Sequence, residues 1–165
     1  MSAASPLPLA RRVFVLNGSN LNLLGTREPH LYGTATLDDV RHLCATTCQE
    51  LDLELRFSQS NAQSDLIDQV HLAHAQRSAV VINAGAYART SLALHDAVKA
   101  VQVPVIEIHI TNIYQRDAYR PPSYLSRVAR GSLCGLGIEV YRFGLMAAAQ
   151  LIHAQRPGKE DHVSP

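Results

Sequence analysis

Val13-Phe-Val-Leu16 runs directly into Asn17-Gly-Ser-Asn-Leu-Asn-Leu-Leu-Gly-Thr-Arg-Glu-Pro-His-Leu-Tyr32, and a helical pattern resumes only near Leu37. The four apolar residues read as a strand buried on both faces, as parallel sheets require. The sixteen residues that follow are far longer than a plain strand-to-helix connection, and long loops of this kind are usually functional. Their residue types narrow the ligand. Three asparagines, one guanidinium and one phenol suit a polar, uncharged group better than a nucleotide phosphate.

Working outward, strand and helix signals alternate to the end of the chain. A helix is expected from Leu37 to Glu50, with Thr36-Leu-Asp-Asp as a capped, acidic start. Leu53–Phe57 alternates as a strand, and Asp65–Ala75 places Leu66, Ile67, Val70 and Ala73 on one stripe. Ala79–Ile82 is a short apolar strand, Ser91–Val101 a helix, and Val103–Ile110 a fourth strand with Pro104 tolerated at its start. A polar and aromatic loop, Thr111–Arg127, precedes the short strand Ser132–Cys134, and a last helix spans Ile138–Ala154. Five strands alternating with helices predict an α/β, doubly wound, five-stranded parallel sheet with helices on both faces. Doubly wound sheets hold ligands at the carboxyl ends of the strands near the switch point. The segments after the first, third and fourth strands carry the unusual polar residues, so three separate stretches converge on one crevice.

Composition bounds the rest. A chain of 165 residues is expected to form one domain, here 13–155 between disordered tails at 1–12 and 156–165. A net charge of +1 leaves no basic stripe for nucleic acid. No apolar run approaches membrane-spanning length, and the prolines at Pro6 and Pro8 break up any signal-like core. Three cysteines, Cys44, Cys48 and Cys134, fit a reduced cytoplasmic setting better than a disulfide framework.

Glycine-rich phosphate cradles are absent, and His42, His71 and His74 lack the spacing of a metal site, so they read as helix-surface residues. Lysine occurs only at Lys99 and Lys159, which argues against a buried Schiff-base lysine. Tyr32 and His109 remain. Arg27 lies five residues before Tyr32, and a nearby guanidinium favours a phenolate. Glu107 precedes His109 at strand spacing, so both project from one face, and a carboxylate beside an imidazole orients it and favours its protonated form. A base facing an acid, without nucleophile or cradle, suggests proton abstraction with loss of water.

The residues at this point resemble the type II dehydroquinases. The resemblance rests on Asn17–Pro29 with Tyr32-Gly33, Gln59-Ser-Asn61, Asn83-Ala-Gly-Ala-Tyr87, Thr90–Leu94 with Asp96-Ala97, Glu107-Ile-His-Ile-Thr-Asn112, Ser123-Tyr124 and Gly135-Leu-Gly137. It implies a flavodoxin-like fold, no cofactor and no metal, trimers assembled into dodecamers, and conversion of 3-dehydroquinate to 3-dehydroshikimate through an enolate. It implies roles as well. Tyr32 would be the base, supported by Arg27 on a closing loop, Asn20 would hold the water that stabilises the enolate, and His109, oriented by Glu107, would be the acid. Ile110 and Thr111 would bind the substrate carboxylate, Asn83 and Arg120 its ring hydroxyls, and Asp96 would reach a neighbouring subunit's site.

The chain also departs from that pattern. Ser19 stands in place of the usual proline, Asn61-Ala-Gln-Ser-Asp65 differs at a helix start, and Pro121-Pro122 replaces basic residues. Arg89 occupies the place of a histidine that contacts a ring hydroxyl, and His95 stands where arginine is usual. The pair reads either as a compensated exchange or as a change of substrate, with Arg89 then a permanent cation in the binding site. The alternatives to dehydroquinate dehydration are therefore elimination from another carboxylated polyol, or binding without catalysis.

Overall fold

The computed structural model of the chain describes residues 8–115 and 121–154. Five strands, β1 (Arg12–Asn17), β2 (Glu54–Gln59), β3 (Ala79–Asn83), β4 (Val105–His109) and β5 (Gly131–Cys134), form one sheet. Their order is β2-β1-β3-β4-β5 and every neighbouring pair is parallel, the flavodoxin-like arrangement expected from the alternation of elements. β1 starts one residue before the expected boundary, because Arg12 pairs with Glu54 across the first register position. The expected C-terminal tail lies outside the described residues.

The central strands are buried throughout. β3 and β4 have no exposed residue, and β1 only opens at Arg12. Alternate residues feed two cores. Val13, Val15, Val81, Ile106 and Ile108 pack beneath α2 (Leu37–Glu50) and α6 (Glu139–Ala154). Phe14, Leu16, Val80, Ile82 and Val105 pack beneath α3 (Gln63–Ala75) and α5 (Leu92–Ala100). α6 comes close to the sheet at Gly144, where an added Cβ would stand 3.0 Å from methyl carbons of Ile108 and Val81. No helix among the described residues is long and apolar enough to cross a membrane.

α2 begins and ends where its sequence pattern does. The Thr36 hydroxyl oxygen accepts a hydrogen bond from the Asp39 amide and the Asp39 carboxylate accepts one from the Thr36 amide, a reciprocal capping box. The long loop after β1 differs from the expectation of an unstructured segment. It holds a single 3-10 turn, Leu21–Leu23, and a four-residue helix, α1 (Pro29–Tyr32), with Pro29 where its missing N–H costs nothing. A second unexpected turn of helix, α4 (Tyr87–Thr90), precedes α5, and Ser91 separates the two by capping α5 through the Leu94 amide.

Candidate active site

The carboxyl ends of β1, β3 and β4 open into one cavity of about 200 Å³. From the β1 loop come Ser19, Asn20, Arg27 and Tyr32, from the β3 loop Asn83 and Arg89, and from the end of β4 His109, Ile110 and Thr111. Leu21 and Leu24 add apolar wall, and Pro121 closes one side. Residues far apart in sequence thus meet because parallel strands all end on the same edge.

The β4 side of the cavity is held by a buried hydrogen-bond network. Glu107 and His109 project together from β4, and His109 Nε2 lies 2.9 Å from Glu107 Oε1. Glu107 is fully buried, so its charge requires partners. Ser132 Oγ donates to its Oε2 at 2.9 Å, and Ser123 Oγ donates to its Oε1. Burial raises the carboxyl pKa, but the hydrogen bonds from His109, Ser123 and Ser132, with the attraction of the imidazole, outweigh it and hold Glu107 below its ordinary value. Neither serine was assigned a role by the sequence. Ser132 reads there as part of a short strand, and nothing in the chain marks its side chain as the neighbour of β4.

Beneath the cavity a second buried network ties three elements together. Tyr141 of α6 is fully buried and donates to Asn17 Oδ1 at 2.6 Å, while Asn83 Nδ2 donates to Tyr141 Oη at 3.1 Å. Burial pushes the Tyr141 phenol up, so it stays neutral and serves as a hydrogen-bonding hub. Asn17 Nδ2 continues the chain to the Ser58 carbonyl at 3.0 Å. The sequence signal for Tyr141 is faint: a tyrosine within an apolar helical stripe must find a partner if buried.

The β1 and β3 loops also cross backbone to backbone. Gly85 has φ +61, and a Cβ there would stand 2.8 Å from the Ser19 carbonyl, so the turn requires glycine. Ser19 Oγ is buried there without a hydrogen-bond partner among the described residues.

Tyr32 is half-buried, and the Arg27 guanidinium lies 5.8 Å from its ring centroid, within cation–π range. Arg27 also faces Glu28 at 3.4 Å, both side chains exposed. Arg89 is only 9 % exposed, so a permanent cation stands almost buried in the cavity wall. Asp96, expected to reach a neighbouring subunit's site, does not line this cavity. It lies on α5 with its side chain 77 % exposed and bonded to His95 Nδ1 at 2.9 Å. Arg120 lies outside the described residues.

The comparisons with known proteins agree with this geometry. The family described as Dehydroquinase class II matches residues 11–149. A 3-dehydroquinate dehydratase 1 of Bradyrhizobium diazoefficiens is 50 % identical over 143 residues, covering 86 % of this chain and 92 % of that one. A 3-dehydroquinate dehydratase of Nitrobacter winogradskyi is 47 % identical over 153 residues, covering 92 % and 98 %. The crystal structure of a type II dehydroquinase from Propionibacterium acnes superposes with a TM-score of 0.82 at 35 % identity, covering 87 % of this chain and 99 % of that one. With five parallel strands in the same arrangement and a family match across nearly all of its length, this chain belongs to the class II dehydroquinases.

Proposed function

We propose that the chain, as one catalytic α/β domain, dehydrates 3-dehydroquinate to 3-dehydroshikimate by anti elimination. Tyr32, the tyrosinate base with Arg27 beside its ring, takes the proton alpha to the ketone. The electron pair moves into an enolate, stabilised by a water held on Asn20. The ring hydroxyl then leaves as water with a proton from His109, and the enolate collapses to the conjugated enone. Glu107 holds the imidazole through Nε2, leaving Nδ1 as the nitrogen available to the substrate. Ile110 and Thr111 take the carboxylate, and Asn83, Arg89 and Arg120 the ring hydroxyls.

One observation carries this reading: Tyr32 and Arg27, from the loop after β1, and His109, at the end of β4 and bonded to the buried Glu107, line a single cavity. The names of the Bradyrhizobium and Nitrobacter relatives support the substrate. Arg89 supports a second reading, elimination from a different carboxylated polyol, because its fixed charge occupies the wall that would meet the ring hydroxyls.

The chain is further proposed to act in the cytoplasm as a homo-oligomer, with trimers building a dodecamer. Leu92, 62 % exposed, and Asp96 share one face of α5 at a spacing of one turn, which suits a face covered by a neighbour whose site Asp96 completes. Incubating purified protein with 3-dehydroquinate should generate enone absorbance. Absence of signal from folded protein, restored by Arg89→His, would replace this reading with the shifted substrate. Bound substrate without product from either protein would make the chain a binding module.

A further inference from the structure

Asn61 lies beyond the cavity lining, yet it touches both loops that build the cavity. Its Oδ1 accepts the backbone N–H of Asn20 at 2.9 Å. The same oxygen accepts Gln59 Nε2 at 3.1 Å, and that amide also reaches the Gly18 carbonyl at 3.3 Å. On the other side, the Asn61 carbonyl accepts the Tyr87 hydroxyl at 2.5 Å, and Tyr87 opens α4, the helical turn that carries Arg89.

Asn20 needs such a restraint. It sits at φ 66 and ψ 2, in the left-handed region that a residue with a Cβ enters at a cost. The Asn20 side chain makes no cap hydrogen bond to the turn that follows, so nothing in its own turn fixes its direction. A single exposed hydrogen bond and the cost of a left-handed asparagine are of similar size, so removing the first releases the second.

We infer that Asn61 is a positioning residue: its amide oxygen holds Asn20 in the left-handed turn that aims the Asn20 side chain into the cavity, and its carbonyl fixes that turn against the Arg89 wall. This rests on the reading that Asn20 holds the water stabilising the enolate. The side-chain amide nitrogen of Asn61 donates to no group among the described residues, so an aspartate, which retains the acceptor, is the conservative replacement.

The test is a double-mutant cycle on kcat with 3-dehydroquinate, with thermal midpoints measured on each protein. Asn20→Ala is expected to lower kcat about 100-fold, as loss of one enolate-stabilising contact does. Asn61→Ala should lower kcat about 10- to 100-fold through misplacement of Asn20, with KM little changed. Asn61→Asp should recover most of that loss. The double variant should be no slower than Asn20→Ala, because the second change acts through the first. Tyr87→Phe, which spares the Asn20 bond, should lower kcat in the same direction and serves if Asn61→Ala does not fold. Additive losses, an unchanged kcat in the foldable Asn61 and Tyr87 variants, or failure of aspartate to rescue would each overturn the role of Asn61 while leaving the dehydration reading intact. An Asn20→Ala protein with full kcat would remove both the role of Asn20 and this one, and a wild type without turnover would remove the reading beneath them.

Discussion

Glu107 shows how a residue's surroundings decide its charge. A carboxylate with no exposed surface would be expected to take up a proton, but here three donors surround it and hold the charge. Because its folded pKa lies below the ordinary 4.5, its contribution to stability is present above that value and is lost as pH falls through the lower folded value. Urea midpoints measured from pH 6 downward should therefore fall on acidification, and the fall should be shallower in Glu107→Gln. In catalysis the same replacement removes the charge that orients His109, and kcat should drop by about 100-fold. A kcat equal to wild type would mean that the imidazole does not depend on its carboxylate. The Glu107–His109 pair was legible from spacing alone, since residues two apart on a strand share a face. The two serines were not, because their contact with Glu107 depends on how β5 and the chain around Ser123 pack against β4.

At the scale of elements, what could be read depended on length. α2 has a cap, a stripe and fourteen residues, and its bounds follow the sequence pattern at both ends. α1 and α4 have four residues each, too few for a 3.6-residue period to show, and they emerge only from the packing around the cavity. Thr36→Ala should lower stability by about 1 kcal/mol, since it removes the side-chain acceptor at the start of α2, without changing kcat; circular dichroism melts with parallel turnover assays check both. Tyr141 is the opposite case, a single side chain of α6 that bridges two strands beneath the cavity. Tyr141→Phe leaves Asn17 Oδ1 buried without its donor and should cost about 1–3 kcal/mol in denaturant unfolding. A loss well below that range would mean that water or a shifted Asn17 takes over the bond.

For the whole molecule, the alternation of apolar strands and amphipathic helices was enough to specify the sheet, because parallel strands buried on both faces leave few other arrangements. It was also enough to bring the site to one edge, since each functional segment follows a strand. The placement of Arg89 inside the cavity was legible only as a departure from a family pattern. That Asp96 stands outside this cavity follows from its place on α5, and a role for it requires a second copy of the chain.

The central claim is that Tyr32 removes the proton alpha to the ketone and that His109 protonates the ring hydroxyl, which leaves as water. Its most direct test is the rate of enone formation from 3-dehydroquinate by the wild type beside Tyr32→Phe, with substrate affinity and thermal midpoint measured on both. Proton abstraction by a positioned base contributes at least about 100-fold, so Tyr32→Phe should lose that much or more in kcat while folding and binding as the wild type does. A Tyr32→Phe protein that turns over at the wild-type rate would contradict the account and require another base in the cavity.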